Sequence, residues 1–188
     1  MPGARYGTAF AVLHKGREST TMTVRLNHTI LAARDRDASA NFLTTILGLA
    51  PALVLGPFAV VRVGDTSLDY MDVKDYRGSD GEIVSQHYAF LVSEVEFDEI
   101  FERIRQRRLP FWADPGREQR GQINAWDDGR GVYFEDPNGH LLEIITRPYG
   151  SGGTVASRPH PLVARPLEPE DAQGPAGSPR RKDAEPHS

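Results

Sequence analysis

Apolar residues along this chain recur with two periods, and the switch between them happens twice. The first stretch, Leu26-Asn27-His28-Thr29-Ile30-Leu31, reads as a strand. A helical spacing follows over about 37–47, with Phe42, Leu43, Ile46 and Leu47 on one face and Gly48 placed to stop it. Three shorter strand candidates come next, near 52–55, 58–63 and 67–73, punctuated by Gly56-Pro57 and Gly64-Asp65. The cycle then restarts. Ser85-Gln86-His87-Tyr88-Ala89-Phe90 reads as a strand, and about 96–107 as a helix with Phe97, Ile100, Phe101 and Ile104 at helical spacing. Strands near 111–113, 131–135 and 141–146 follow, the last two split by Asp136-Pro137-Asn138-Gly139.

The two cycles superpose at one offset: His28 falls on His87, Asp35 on Glu94 and Phe42 on Phe101. This repeat predicts an α+β fold of two tandem βαβββ modules, about 24–73 and 84–148, their sheet curved around a shared cleft. The domain is expected to span 23–150. Met22 reads as the natural start, and 1–22 as a disordered upstream extension whose short apolar run lacks an export-signal pattern. After Gly150 there is no aromatic residue, and seven of the chain's 14 prolines fall there. A segment so composed buries too little apolar surface to offset its chain entropy, so 151–188 is expected to be a disordered Pro/Gly-rich tail.

Composition narrows the function classes. With 39% hydrophobic and 26% charged residues the chain is of ordinary globular make-up. Its formal net charge of -4 gives no reason to expect nucleic acid or an acidic membrane as partner. Arg103, Arg105, Arg107 and Arg108 end the second helix, where they suit its dipole. No window supplies the ~20 apolar residues of a membrane-spanning helix. The 188 residues include no cysteine, which suits a reducing cytoplasm, the expected location, and removes thiolate chemistry. Any metal site must use His, Asp and Glu.

The repeat marks the candidates. A single histidine in an apolar strand is usually a hydrogen-bonded core residue, but His28 and His87 occupy equivalent places, which a pseudo-twofold axis would bring to one cleft. Glu143, flanked by aliphatics in Leu141-Leu142-Glu143-Ile144-Ile145, is costly to bury unless paired or metal-bound. Strand alternation allows two inward sets, Leu141, Glu143 and Ile145, or His140, Leu142 and Ile144; His140, beside the turn, is expected to be exposed. Asp69 lies at the first-module equivalent of Glu143 and reads as a fourth ligand, a general base or a solvated strand residue. Two imidazoles and a carboxylate suit one divalent metal ion with open positions: Fe, Mn, Ni, Co or Zn. Substrate then binds through two adjacent oxygens to a Lewis acid. Trp126, Tyr133 and Tyr88 are candidates to line its pocket, or ordinary core.

Together these residues resemble the vicinal oxygen chelate superfamily, which holds glyoxalase I, extradiol dioxygenases, and fosfomycin- and bleomycin-resistance proteins. The strongest match is the run from Tyr133 through Asp136-Pro137-Asn138-Gly139 to Glu143, supported by Leu26-Asn27-His28, Leu47-Gly48-Leu49 and Gln86-His87. The resemblance implies metal ligands His28, His87 and Glu143, catalytic roles for Asp69, Tyr133 and Glu143, a small-molecule substrate and a homodimer. It favours a metalloenzyme of the glyoxalase-like lyase or isomerase kind. Extradiol dioxygenases usually carry a further histidine ahead of the matched tyrosine, where this chain reads Ile123-Asn124-Ala125-Trp126-Asp127. Ring cleavage is thus the alternative, and a bleomycin-resistance-type binding protein the third reading.

Overall fold

The computed structural model describes residues 24–152 and 155–164. The first module runs β1 (His28–Ala33), α1 (Arg36–Leu47), β2 (Leu53–Leu55), β3 (Phe58–Val63) and β4 (Thr66–Asp72). The second runs β5 (His87–Leu91), α2 (Glu94–Gln106), β6 (Phe111–Trp112), β7 (Gly131–Glu135) and β8 (Leu141–Ile145), and a short α3 (Pro161–Ala164) follows. The architecture is α+β, two tandem βαβββ modules. Each makes its own four-stranded sheet, in the orders β1-β4-β3-β2 and β5-β8-β7-β6. In each, the first and last strands lie parallel, which the intervening helix makes possible by carrying the chain back across the sheet.

Helices α1 and α2 both begin on side-chain caps. Asp35 accepts from the Ala38 amide at 2.9 Å, and Ser93 with Glu96 forms a capping box. Helix α1 ends at Gly48 in the left-handed region, φ +71. A side chain there would be strained and would also meet the Arg103 guanidinium 3.0 Å from its Cβ. Arg103 donates to the Ile46 carbonyl at 3.0 Å, so it caps the other module's helix as well as suiting its own.

The helix-covered faces of the two sheets share one core. Leu31, Leu43, Ile46, Val61 and Tyr70 of the first module cluster with Phe97, Ile104, Val132, Phe134, Leu142 and Ile144 of the second. The Asp136–Gly139 turn reaches across: Asn138 accepts from the Arg34 amide and donates to Ser39 Oγ. His140, expected to be exposed, is fully buried at the same seam. Its Nδ1 accepts from the Gln86 amide at 3.1 Å, so its Nε2–H donates to the Ala32 carbonyl at 2.9 Å. The turn that suggested exposure folds back onto β1 instead.

The expected tail boundary also shifts. Residues 151–152 and 155–164 pack against the second module, and two consecutive aspartates hold them. Asp127, 1% exposed, accepts from the amides of Gly150 at 2.7 Å and His160 at 3.3 Å, while its own amide donates to Arg158. Asp128 accepts from the Ser157 amide and hydroxyl. Specific polar anchoring does here what apolar burial could not. The expected extension 1–22, and the tail from 165 onward, lie outside the described residues.

Candidate functional site

Strand register decides what alternation left open. Leu142 and Ile144 point into the shared core, and Leu141 and Glu143 point to the opposite face of the second sheet. On that face a row runs across the strands, Trp112 beside Tyr133, Tyr133 beside Glu143, and Glu143 beside Ala89. His87, two residues before Ala89 on β5, shares it. Its Nδ1 donates to the Leu141 carbonyl at 3.0 Å, which leaves the Nε2 lone pair free, 3.4 Å from Glu143 Oε2. A strand carbonyl thus sets the tautomer that a metal ligand needs.

Glu143 is fully buried, and its Oε1 has no hydrogen-bond partner. Burial pushes its carboxyl above the usual range, opposed chiefly by the hydrogen bond from Tyr149. Oε2 accepts from the Tyr149 hydroxyl, which in turn lies 2.8 Å from that of Tyr133. Because Tyr149 donates to the carboxylate, Tyr133 donates to Tyr149. Burial, and after it the hydrogen bond between them for Tyr133 or to Glu143 for Tyr149, drives both phenols well up, so both stay protonated donors.

These groups open into a cavity of about 480 Å³, with His87, Trp126, Tyr133, Tyr149 and His160 among its walls. Its volume suits a small-molecule ligand. Trp126 and Tyr133 line it as expected. Tyr88 does not: it faces the seam, with its ring edge-on to His140 and its hydroxyl donating to Gln86. Tyr149 and His160 were not among the sequence candidates. Tyr149 lies just beyond the strongest motif, six residues past Glu143. His160 had only the weak signal of prolines on both sides, within a segment of disordered composition.

His28 and Asp69 lie on the corresponding face of the first sheet. In the register His28 pairs with Ser67 and Ile30 with Asp69, as His87 pairs with Leu141 and Ala89 with Glu143. The Nδ1 of His28 donates to Asn27 Oδ1 at 2.8 Å, so its Nε2 is also free, and the residue is exposed. Asp69 Oδ1 is buried without a partner. The structure therefore brings His87 and Glu143 together and leaves His28 on the other sheet. Among the described residues no three His, Asp or Glu side chains converge on one metal position.

A divalent metal fits the pair that does meet. A buried carboxylate with one orphaned oxygen is stabilised by a cation, and an adjacent imidazole lone pair completes a two-point nitrogen and oxygen donor set. His87 and Glu143 are the residues that could hold it.

Residues 25–144 match the model of the "Glyoxalase/Bleomycin resistance protein/Dioxygenase superfamily". Among solved structures, "Oxidase ChaP-H2" is 59% identical with a TM-score of 0.65, the match covering 70% of this chain and 100% of that one. "Oxidase ChaP-H1" is also 59% identical, with a TM-score of 0.63 and coverage of 68% and 98%. The "Glutathione transferase FosA" of Serratia marcescens is 31% identical over 125 residues, 65% of this chain and 81% of its own length.

Proposed function

The chain belongs to the glyoxalase/bleomycin resistance protein/dioxygenase superfamily, and from that membership we propose that it is a metal-dependent enzyme that oxidises a small aromatic molecule carrying two adjacent oxygens. The observation that carries the reading is the buried Glu143, its orphaned oxygen beside the free Nε2 of His87 at one wall of an aromatic cavity. The two 59% identical structures, both named oxidases, favour oxidation over the glyoxalase-like lyase or isomerase chemistry that the sequence alone put first.

When bound, the metal supplies a Lewis acid that lowers the proton affinity of the two substrate oxygens and, as iron, a couple for dioxygen. The chain's own residues do the rest. Trp126, Tyr133 and the other aromatic walls take the flat ring and exclude water. Tyr133 and Tyr149 hold their protons on the phenolic oxygens, Tyr133 donating to Tyr149 and Tyr149 to Glu143, a relay that supports negative charge on that carboxylate. His28 completes the ligand set from a second copy: in a homodimer the His28 face of one copy meets the His87 face of the other. The matched free Nε2 atoms and the exposure of His28 support this arrangement. Asp69 would enter with His28, as a base or a further ligand.

Reconstitution with each of Fe(II), Mn(II), Co(II), Ni(II) and Zn(II), followed by oxygen-electrode assays over a panel of catechols and hydroxyquinones, tests the chemistry. Oxygen uptake dependent on iron or manganese is expected. Substrate isomerisation without uptake would move the enzyme to the lyase branch, and binding without turnover would make it a sequestering protein. Mixing His28→Ala with Glu143→Ala protein tests the dimer. Each alone should lose stoichiometric metal, while subunit exchange should restore one intact site per mixed dimer. No recovery after proven exchange defeats the shared site.

A further inference from the structure

The C-terminal segment is built into the cavity. Asp127 and Asp128 both sit in the left-handed backbone region, φ +53 and +57, a conformation uncommon for residues with a side chain, though aspartate tolerates it better than most. The conformation is held by hydrogen bonds: the two carboxylates and the Asp127 amide engage Gly150, Ser157, Arg158 and His160. His160 is consequently 4% exposed, although it lies between two prolines beyond the end of the domain. Its ring centroid is 4.0 Å from that of Tyr149 and 4.7 Å from that of Trp126.

The orientation of that ring is also set. His160 Nδ1 accepts from the Leu162 amide at 3.2 Å, so the neutral ring carries its proton on Nε2. Among the described residues no hydrogen bond engages Nε2, and the residue lines the cavity that holds His87, Tyr133 and Tyr149. Burial pushes the imidazole below its ordinary range, against a smaller opposing effect of Asp127, so the ring stays neutral near pH 7. A neutral imidazole that lines a largely apolar cavity and whose one N–H has no partner among the described residues is an available hydrogen-bond donor, and with Nδ1 occupied it is not a base.

We propose that His160 is a substrate-binding residue, its Nε2–H donating to an oxygen of an aromatic ligand seated against Trp126 and Tyr149. This rests on the oxygen-pair substrate of the proposed function and adds a specificity element: ligands with an acceptor oxygen on the edge facing His160 are preferred over those without one. Of the residues that would hold the ligand, Tyr149 and His160 lie beyond the 25–144 family segment, while Trp126 lies within it.

The probe is 4-nitrocatechol, titrated by absorbance into full-length protein loaded with Zn(II), which binds without turning over. His160→Phe keeps the aromatic packing and removes the donor; it should weaken binding about 5- to 20-fold with unchanged metal content. His160→Gln, which offers an amide N–H in nearly the same place, should recover most of that loss. Nitrogen NMR of the imidazole should show the Nε2–H tautomer and a shift of Nε2 on ligand addition. Tight wild-type binding with equal affinity in His160→Phe overturns the donor role alone. A wild-type protein that holds metal but takes up no 4-nitrocatechol, while His160 keeps its buried tautomer, overturns the oxygen-pair reading and the donor role with it. A ring that exchanges tautomers freely, as an exposed histidine does, overturns the inference whatever the ligand does.

Discussion

The two sheets have the same strand order and place a histidine and a carboxylate at matching positions, yet their open faces are dressed differently. On the second sheet, His87 and Glu143 sit under Trp112, Trp126, Tyr133, Tyr149 and His160. On the first, His28 is exposed and Asp69 shares its face with aliphatic Ile30 and Val60. One repeat unit thus carries the aromatic cavity walls and two proposed metal donors, and the other carries one proposed donor and an orphaned carboxylate oxygen. Duplication supplies the positions of the donors; what surrounds them decides what each half does.

The sharpest break in that comparison is metal content. His87→Ala and Glu143→Ala are each expected to abolish stoichiometric metal, read by elemental analysis, while Asp69→Ala should retain it and lower turnover. Metal lost equally from Asp69→Ala would make the halves chemically equivalent and end the distinction drawn above. A smaller effect concerns the wall that only the second half has. Asp127→Ala leaves two amides without their buried acceptor and should cost about 2–3 kcal/mol. Rapid proteolytic cleavage near residues 150–158 should accompany the loss. Stability unchanged in thermal unfolding would show that the segment is not anchored there. The smallest contrast lies in the helix caps. Asp35→Ala and Ser93→Ala should each cost about 1 kcal/mol, the second slightly more because Glu96 loses its reciprocal bond. Denaturant midpoints would resolve the pair.

Most of the fold was legible because alternation and helical spacing report burial directly. Strand β7 was placed residue for residue, and α1 differs from its expected start by one. The repeat identified His28 and His87 as equivalent without any structural input. Glu143 was recoverable only by analogy, since either strand parity buries aliphatics; register placed it opposite Tyr133. His140 was misplaced because a turn signal speaks for its own backbone and is silent on what another module brings against it. Tyr149 and His160 were missed for a related reason. Composition measures how much apolar surface a segment can bury, and the segment after Gly150 is fixed instead by hydrogen bonds to two buried or strained aspartates, which leave no periodic trace.

The bond from His140 to Ala32 spans 108 residues, and that from Asn138 to Arg34 spans 104. As the nascent chain lengthens, the first module is therefore made long before the residues that seal its core exist. Such distant closures are slow, and they place the commitment to fold at the final strand rather than at the completion of either half. A fragment ending at residue 84 is expected to show no cooperative thermal transition, whereas the full chain unfolds in one. Halves that share one core in this way are expected to fold as a single unit, whatever origin the repeat had.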